Sequence, residues 1–78
     1  MHYVYLLQLD DKSYYTGSTD NLPARVVKHN RGDVQSTKSK RPVDLVFYCS
    51  FKTKQNAVNF EKYLKTGSGQ AFRNKHLI

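Results

Sequence analysis

Residues 3–17 read YVYLLQLDDKSYYTG, and the way this stretch folds back on itself decides what the rest of the chain can build. Residues 3–9 are apolar or aromatic at both alternating sets of positions apart from Gln8, the pattern of a central strand covered on both faces. Asp10, Asp11 and Lys12 make a tight turn, and Ser13–Thr16 return as a second strand, released at Gly17. A three-residue loop sets Leu9 opposite Ser13 and puts Tyr5 and Tyr15 on one face, as diagonal neighbours about 7–8 Å apart along the backbone. A two-residue loop would send them to opposite faces. Tyr3, Tyr5, Tyr14 and Tyr15 suit strands by propensity, but buried phenols also need hydrogen-bond partners.

Working outward, STDNLPARVVKHNRG (residues 18–32) reads as a capped helix: Asp20 or Asn21 caps it, Pro23 suits its first turn and Gly32 marks its end. DVQSTKSKRP (33–42) is a polar loop without hydrophobic period, closed by Pro42. Asp44–Phe51 is a third strand. Thr53 caps a second helix running to about Thr66, GSG at 67–69 breaks it, and residues 70–77 form a short last helix. The order β-β-α-β-α, with a terminal α, makes an α+β fold with a small, three-stranded, mostly antiparallel sheet.

The chain has 78 residues, enough for a single domain, 1–78, with a modest core. One cysteine, Cys49, excludes an intrachain disulfide and a Cys-rich zinc site and fits a reducing, cytoplasmic setting. The start MHYVYLLQL lacks the basic n-region and cleavage site of a signal peptide, and no apolar run approaches the roughly 20 residues that span a bilayer. Thirteen Lys and Arg against six Asp and Glu give a net charge of +7, which attracts polyanions. The charges are spread over loops and several segments rather than one amphipathic helix, which favours nucleic acid over a membrane surface.

Arg25 and His29 stand four apart on the first helix and project from one side, either as its wet face or as a functional pair. Glu61 is the only glutamate and lies at i+4 of the stripe Ala57, Phe60, Leu64. A carboxylate beside an apolar face is costly unless it meets a cation or a metal; the plainer alternative is an exposed i,i+4 pair with Lys65. Lys38, Lys40 and Arg41 make the polar loop either simply solvated or a phosphate-contacting arm. No nucleotide-binding glycine loop, nucleophile elbow or HExxH is present. Two-metal hydrolysis needs converging carboxylates, whereas the aspartates fall in turns, caps and loops.

Taken in order, these residues resemble the GIY-YIG nuclease superfamily, and within it the small standalone bacterial (UPF0213-like) members. Tyr3-Val4-Tyr5 stands for the first half-motif, with its glycine and isoleucine replaced, and Tyr15-Thr16-Gly17 stands for the second. Arg25 followed by His29 matches the helix pattern, and Glu61 in NFEKYLK matches the glutamate of a later helix. The stretch GSTDNLPARVVKHNRG…STKSKRPVDLVFY is similar to the standalone group, and the resemblance spans nearly the whole chain. It implies that Tyr5, Tyr15, Arg25, His29 and Glu61 form one concave, basic catalytic site, with Gly17 letting the chain turn closely beneath it. Tyr3 and Tyr14 are left to packing. Asn74 is a loose match to a late asparagine of some members.

The activity implied by the resemblance is metal-dependent endonucleolytic hydrolysis of DNA, in repair or recombination, on branched or single-stranded substrates. One Mg²⁺ (or Mn²⁺) is held by Glu61, Arg25 neutralises charge on the phosphoryl group, and a tyrosine, Tyr5 first, orients or deprotonates the attacking water. That role requires the metal and Arg25 to favour the Tyr5 phenolate, since a free phenol titrates near 10. His29 relays a proton or contacts phosphate, while Lys38, Lys40, Arg41 and Lys65 add positive charge around the substrate. The same fold also accommodates a non-catalytic nucleic-acid-binding module, or a subunit of a larger protein assembly.

Overall fold

A computed structural model describes residues 1–78. Strand β1 (His2–Gln8) is central, flanked by β2 (Tyr14–Thr19) and β3 (Asp44–Phe51) in the order β2-β1-β3, with both pairings antiparallel. Helices α1 (Leu22–Asn30), α2 (Lys54–Leu64) and α3 (Gly67–His76) complete the α+β fold. No helix is long and apolar enough to cross a membrane.

The β1–β2 turn has the odd loop. Leu9 N–H donates to the Ser13 carbonyl at 2.8 Å, Lys12 N–H donates to the Leu9 carbonyl at 2.9 Å, and Lys12 takes the left-handed conformation (φ 72°) that such a loop requires. Register follows: Leu7 faces Tyr15 and Tyr5 faces Gly17, so Tyr5 and Tyr15 share a face. β2 does not stop at Thr16, as its sequence suggested, but continues through Gly17 and Ser18 to Thr19. Glycine is a poor strand former, yet the ladder carries it here because Tyr5 lies directly opposite.

Alternation along β1 splits the core into two layers. Tyr5, Leu7 and Leu9 pack with Leu22 and Val43 on the α1 side, joined by Tyr3, Tyr15 and Val26. Val4 and Leu6 pack with Ala57 and Leu64 on the α2 side, joined by Phe47, Cys49, Phe51 and Phe60. The central residues of β1, Val4 to Leu7, are fully buried, as a strand sandwiched between helices should be.

Asn21 caps α1, accepting from Ala24 N–H at 3.2 Å, and Thr53 caps α2, accepting from Asn56 N–H at 3.2 Å. The last helix begins earlier than its sequence suggested. Thr66 accepts from Gly69 N–H at 3.1 Å, so GSG forms the first turn of α3 rather than a break before it. Gly69 is needed for contact: a Cβ there would run into the Tyr63 carbonyl oxygen and lie 2.7 Å from Leu64 Cα, whereas one on Gly67 would meet nothing within 4 Å. The last two helices are thereby drawn tightly together. Gly69→Ala should cost about 3 kcal/mol or more by forcing α2 and α3 apart, while Gly67→Ala should change stability by less than about 1 kcal/mol; urea unfolding of the two variants measures the contrast.

Candidate active site

Tyr5 rises from the central strand toward the α1 side and leans over β2. A Cβ on Gly17 would lie 2.5 Å from the Tyr5 hydroxyl and 2.6 Å from its Cζ. Gly17 is therefore there to make room for the phenol rather than to turn the chain, and its φ is not in the left-handed region. With no side chain in the way, the hydroxyl of a central-strand residue reaches across the edge strand.

There it meets His29. Tyr5 Oη and His29 Nε2 are 2.9 Å apart, and the other ring nitrogen, Nδ1, is 2.8 Å from Thr37 Oγ1. Tyr5, His29 and Thr37 are all fully buried. The Tyr15 ring packs edge-on to His29 at 5.0 Å between centroids and lies 6.4 Å from Tyr5, but Tyr15 itself is only half-buried. Arg25, one turn before His29 and also half-buried, sets its guanidinium near the Tyr5 hydroxyl, and no carboxylate pairs with it.

Charge and burial compete at this pair. Burial pushes the Tyr5 phenol up to about 12, aided by neighbouring Tyr15 and by the Glu61 carboxylate; the Arg25 charge opposes this and is outweighed. The expected tilt toward phenolate is thus reversed in the protein as it stands, because desolvation of a fully buried anion exceeds the benefit of one nearby cation. Burial, and next the positive Arg25, also lower the His29 pKa and keep its ring neutral. His29 is thus a fully buried ring with both nitrogens engaged.

Glu61 approaches from the other side of β2. Ser18, paired with Val4 and hence turned toward α2, donates its hydroxyl to Glu61 Oε1 at 2.6 Å, and Lys65 Nζ donates to Oε2 at 2.8 Å. Burial alone would raise this carboxyl, but the hydrogen bonds from Lys65 and Ser18, with the charges of Lys65 and His2, hold it below its ordinary value. Both sequence alternatives hold in part: the i,i+4 pair with Lys65 forms, and the carboxylate is half-buried beside the sheet rather than out in solvent. Ser18 carried no sequence signal, since it stood at the head of the stretch read as a capped helix.

The basic loop is tied down. Thr37 is its only buried residue, Lys40 donates from its ammonium to Asp11 at 3.2 Å, and Arg41 folds back to the Lys38 carbonyl at 2.9 Å and the Asn30 carbonyl at 3.4 Å. Of these three cations, only the Lys38 ammonium makes neither an ion pair nor a hydrogen bond. Asn74 accepts from Arg73, whose guanidinium lies over the Tyr14 ring on the α2 side of the sheet, away from Tyr5. The expected concavity is also displaced. A groove of about 460 Å³ is lined by Tyr3, Leu22, Pro23, Val26, Leu45 and Tyr48, mostly apolar and including none of the five catalytic candidates.

Two pH limits follow from the buried pair. Tyr5 is held protonated in the fold relative to the unfolded chain, so its contribution to stability is complete below pH 10 and is lost as pH rises from about 10 to about 12. His29 is held neutral, so its contribution is complete above the ordinary histidine value near 6.5 and is lost as pH falls below it. Tyrosinate absorbance should show one phenol titrating near pH 12, and imidazole NMR should show His29 neutral where an ordinary histidine is half protonated.

Residues 1–75 match the family profile described as the GIY-YIG catalytic domain. A UPF0213 protein of Staphylococcus haemolyticus is 44% identical over 70 residues, covering 88% of this chain and 85% of that protein. One from Staphylococcus aureus is 43% identical with the same coverage. The solution NMR structure of a UPF0213 protein from Bacillus halodurans superposes with a TM-score of 0.60 at 31% identity, covering 95% of this chain and 82% of that one.

Proposed function

The chain belongs to the GIY-YIG catalytic-domain family, whose fold is of nuclease type, and from that premise we propose that it is a metal-dependent endonuclease that hydrolyses phosphodiester bonds in DNA. The observation that carries the reading is Arg25: a half-buried guanidinium without a carboxylate partner, beside a buried Tyr5–His29 pair and across one strand from the only glutamate. An unneutralised, partly desolvated cation suits an anionic group such as a phosphate. The net charge of +7 favours a polyanion as its source.

The donor chemistry fits one divalent ion. Mg²⁺ takes hard oxygen ligands, keeps several waters and is commonly held by one or two carboxylates, and Glu61 supplies one, kept ionised by its neighbours. No cluster of three or more His, Cys, Asp or Glu side chains is present, which suits a water-rich Mg²⁺ or Mn²⁺ and not a closed zinc site. When bound, the ion polarises a phosphate oxygen and lowers the cost of charge on the leaving oxygen. Arg25 binds the phosphoryl group and offsets the charge that grows on it. Tyr15, half-buried and next to His29, faces the substrate side and orients water by hydrogen bonding. Tyr5, held protonated in the resting protein, donates toward His29 and keeps its oxygen lone pairs toward Arg25. Lys38 is the free cation for backbone phosphates, and Lys65 joins it where released from Glu61. Branched or single-stranded DNA, a role in repair or recombination and a cytoplasmic setting complete the proposal.

A second reading has its own support. With the Tyr5 phenol pushed up to about 12 and the one glutamate engaged by Lys65, the same surface serves as a non-catalytic nucleic-acid-binding module. Nicking of branched, single-stranded and duplex DNA with Mg²⁺ or Mn²⁺ separates the two. The nuclease reading expects metal-dependent nicking that Glu61→Gln abolishes while the fold persists, and an Mg²⁺ titration whose amide NMR shifts cluster around residue 61 in the wild type only. Nicking that survives Glu61→Gln removes the metal from this site; binding without nicking leaves the module. Either reading expects DNA affinity to fall steeply with salt, and Lys38→Ala to lower the slope of log K against log[salt] by about 1.

A further inference from the structure

Thr37 lies in a segment whose sequence is polar, flexible-looking and without periodicity, yet it is the one residue between 33 and 42 that is fully buried. Its backbone is pinned in the turn, with N–H donating to the Val34 carbonyl at 3.2 Å and the carbonyl accepting from Lys40 N–H at 3.0 Å. Its hydroxyl is spent on His29 Nδ1, 2.8 Å away. We propose that Thr37 is a positioning residue for the active site: it fixes His29 in the tautomer with hydrogen on Nδ1, so that Nε2 is left as the acceptor for the Tyr5 hydroxyl proton.

A neutral imidazole carries one N–H and one bare nitrogen, so one of its two partners must donate to it and the other accept from it. The Tyr5 hydroxyl has one proton. Its neighbour Arg25 has only donors and a positive charge, so the favourable orientation turns an oxygen lone pair to the guanidinium and the O–H toward His29 Nε2. Nε2 then accepts, and the single ring proton sits on Nδ1, donated to Thr37 Oγ1. The reverse tautomer would aim the Tyr5 proton at Arg25 or at the ring of Tyr15, neither of which accepts it well. Because His29 is fully buried, no bulk water substitutes for the threonine. Thr37 immediately precedes Lys38, so the loop that carries the free cation also sets the proton order one residue away.

This rests on the nuclease reading only for its effect on cleavage; the tautomer is independent of it. Long-range ¹⁵N correlation spectra of the imidazoles, with His29 assigned by its loss in His29→Gln, report which nitrogen carries hydrogen in the wild type, Thr37→Val and Thr37→Ser. The expected result is a single Nδ1–H tautomer in the wild type, retained in Thr37→Ser, and in Thr37→Val a shift of both ring nitrogens away from that pattern. Nicking should fall roughly tenfold or more in kcat in Thr37→Val, with KM for DNA unmoved and activity recovered in Thr37→Ser, the size usual for losing a partner that orients a functional imidazole. Hydrogen on Nε2 in the wild type, or a wild-type pattern in Thr37→Val, overturns the proposal. If Thr37→Val fails to fold, the wild type and Thr37→Ser still decide it, since Nε2–H in either is fatal. A wild type with the Nδ1–H pattern and no nicking on any substrate sinks the nuclease reading and leaves the tautomer assignment standing.

Discussion

The phenol of Tyr5 lying over Gly17 is the contact on which the site depends. It takes a side chain from the middle of the sheet, where burial is complete, and delivers its one polar atom to the border of β2. Everything else is arranged to make that delivery tolerable. His29 gives the buried hydroxyl a partner, Thr37 gives the histidine one, and no buried side-chain polar atom is left without one. In a domain of 78 residues, where net stability is a small difference between large opposing terms, an orphaned phenol or imidazole would take a sizeable share of it.

The electrostatics are asymmetric about the same strand. On the α1 side stand an unpaired guanidinium and two groups kept neutral by burial; on the α2 side stands a carboxylate kept ionised by a hydroxyl and an ammonium. The separation matters because a carboxylate in direct contact with Arg25 would neutralise it. The fold keeps opposite charges within electrostatic reach of Tyr5 and prevents them from joining, with β2 as the spacer.

The elements were legible where local chemistry acts alone. The apolar run of β1, the odd loop at Asp10–Lys12, the caps Asn21 and Thr53 and the bounds of β3 follow from periodicity and capping, and these set Tyr5 and Tyr15 on one face. The reading failed where a residue answers to a distant neighbour. Gly17 and Gly69 looked like chain breakers because glycine usually is one; their actual cause is a phenol and a neighbouring helix backbone that no local window contains. His29 stayed open between a wet helix face and a functional pair because its partners, Tyr5 and Thr37, are 24 residues upstream and 8 downstream. Thr37 sat in a stretch with no apolar period, and Ser18 stood at the head of the stretch read as a capped helix, so neither gave any sign of its partner.

β2 is also a border of the sheet, hydrogen-bonded to β1 and to no strand on its other side. Its six residues are mostly small and hydroxylated, none of them is exposed, and they lie between the two halves of the site. Loss of the cover that buries these residues would free that edge for another strand, from a second protein or a misfolded copy.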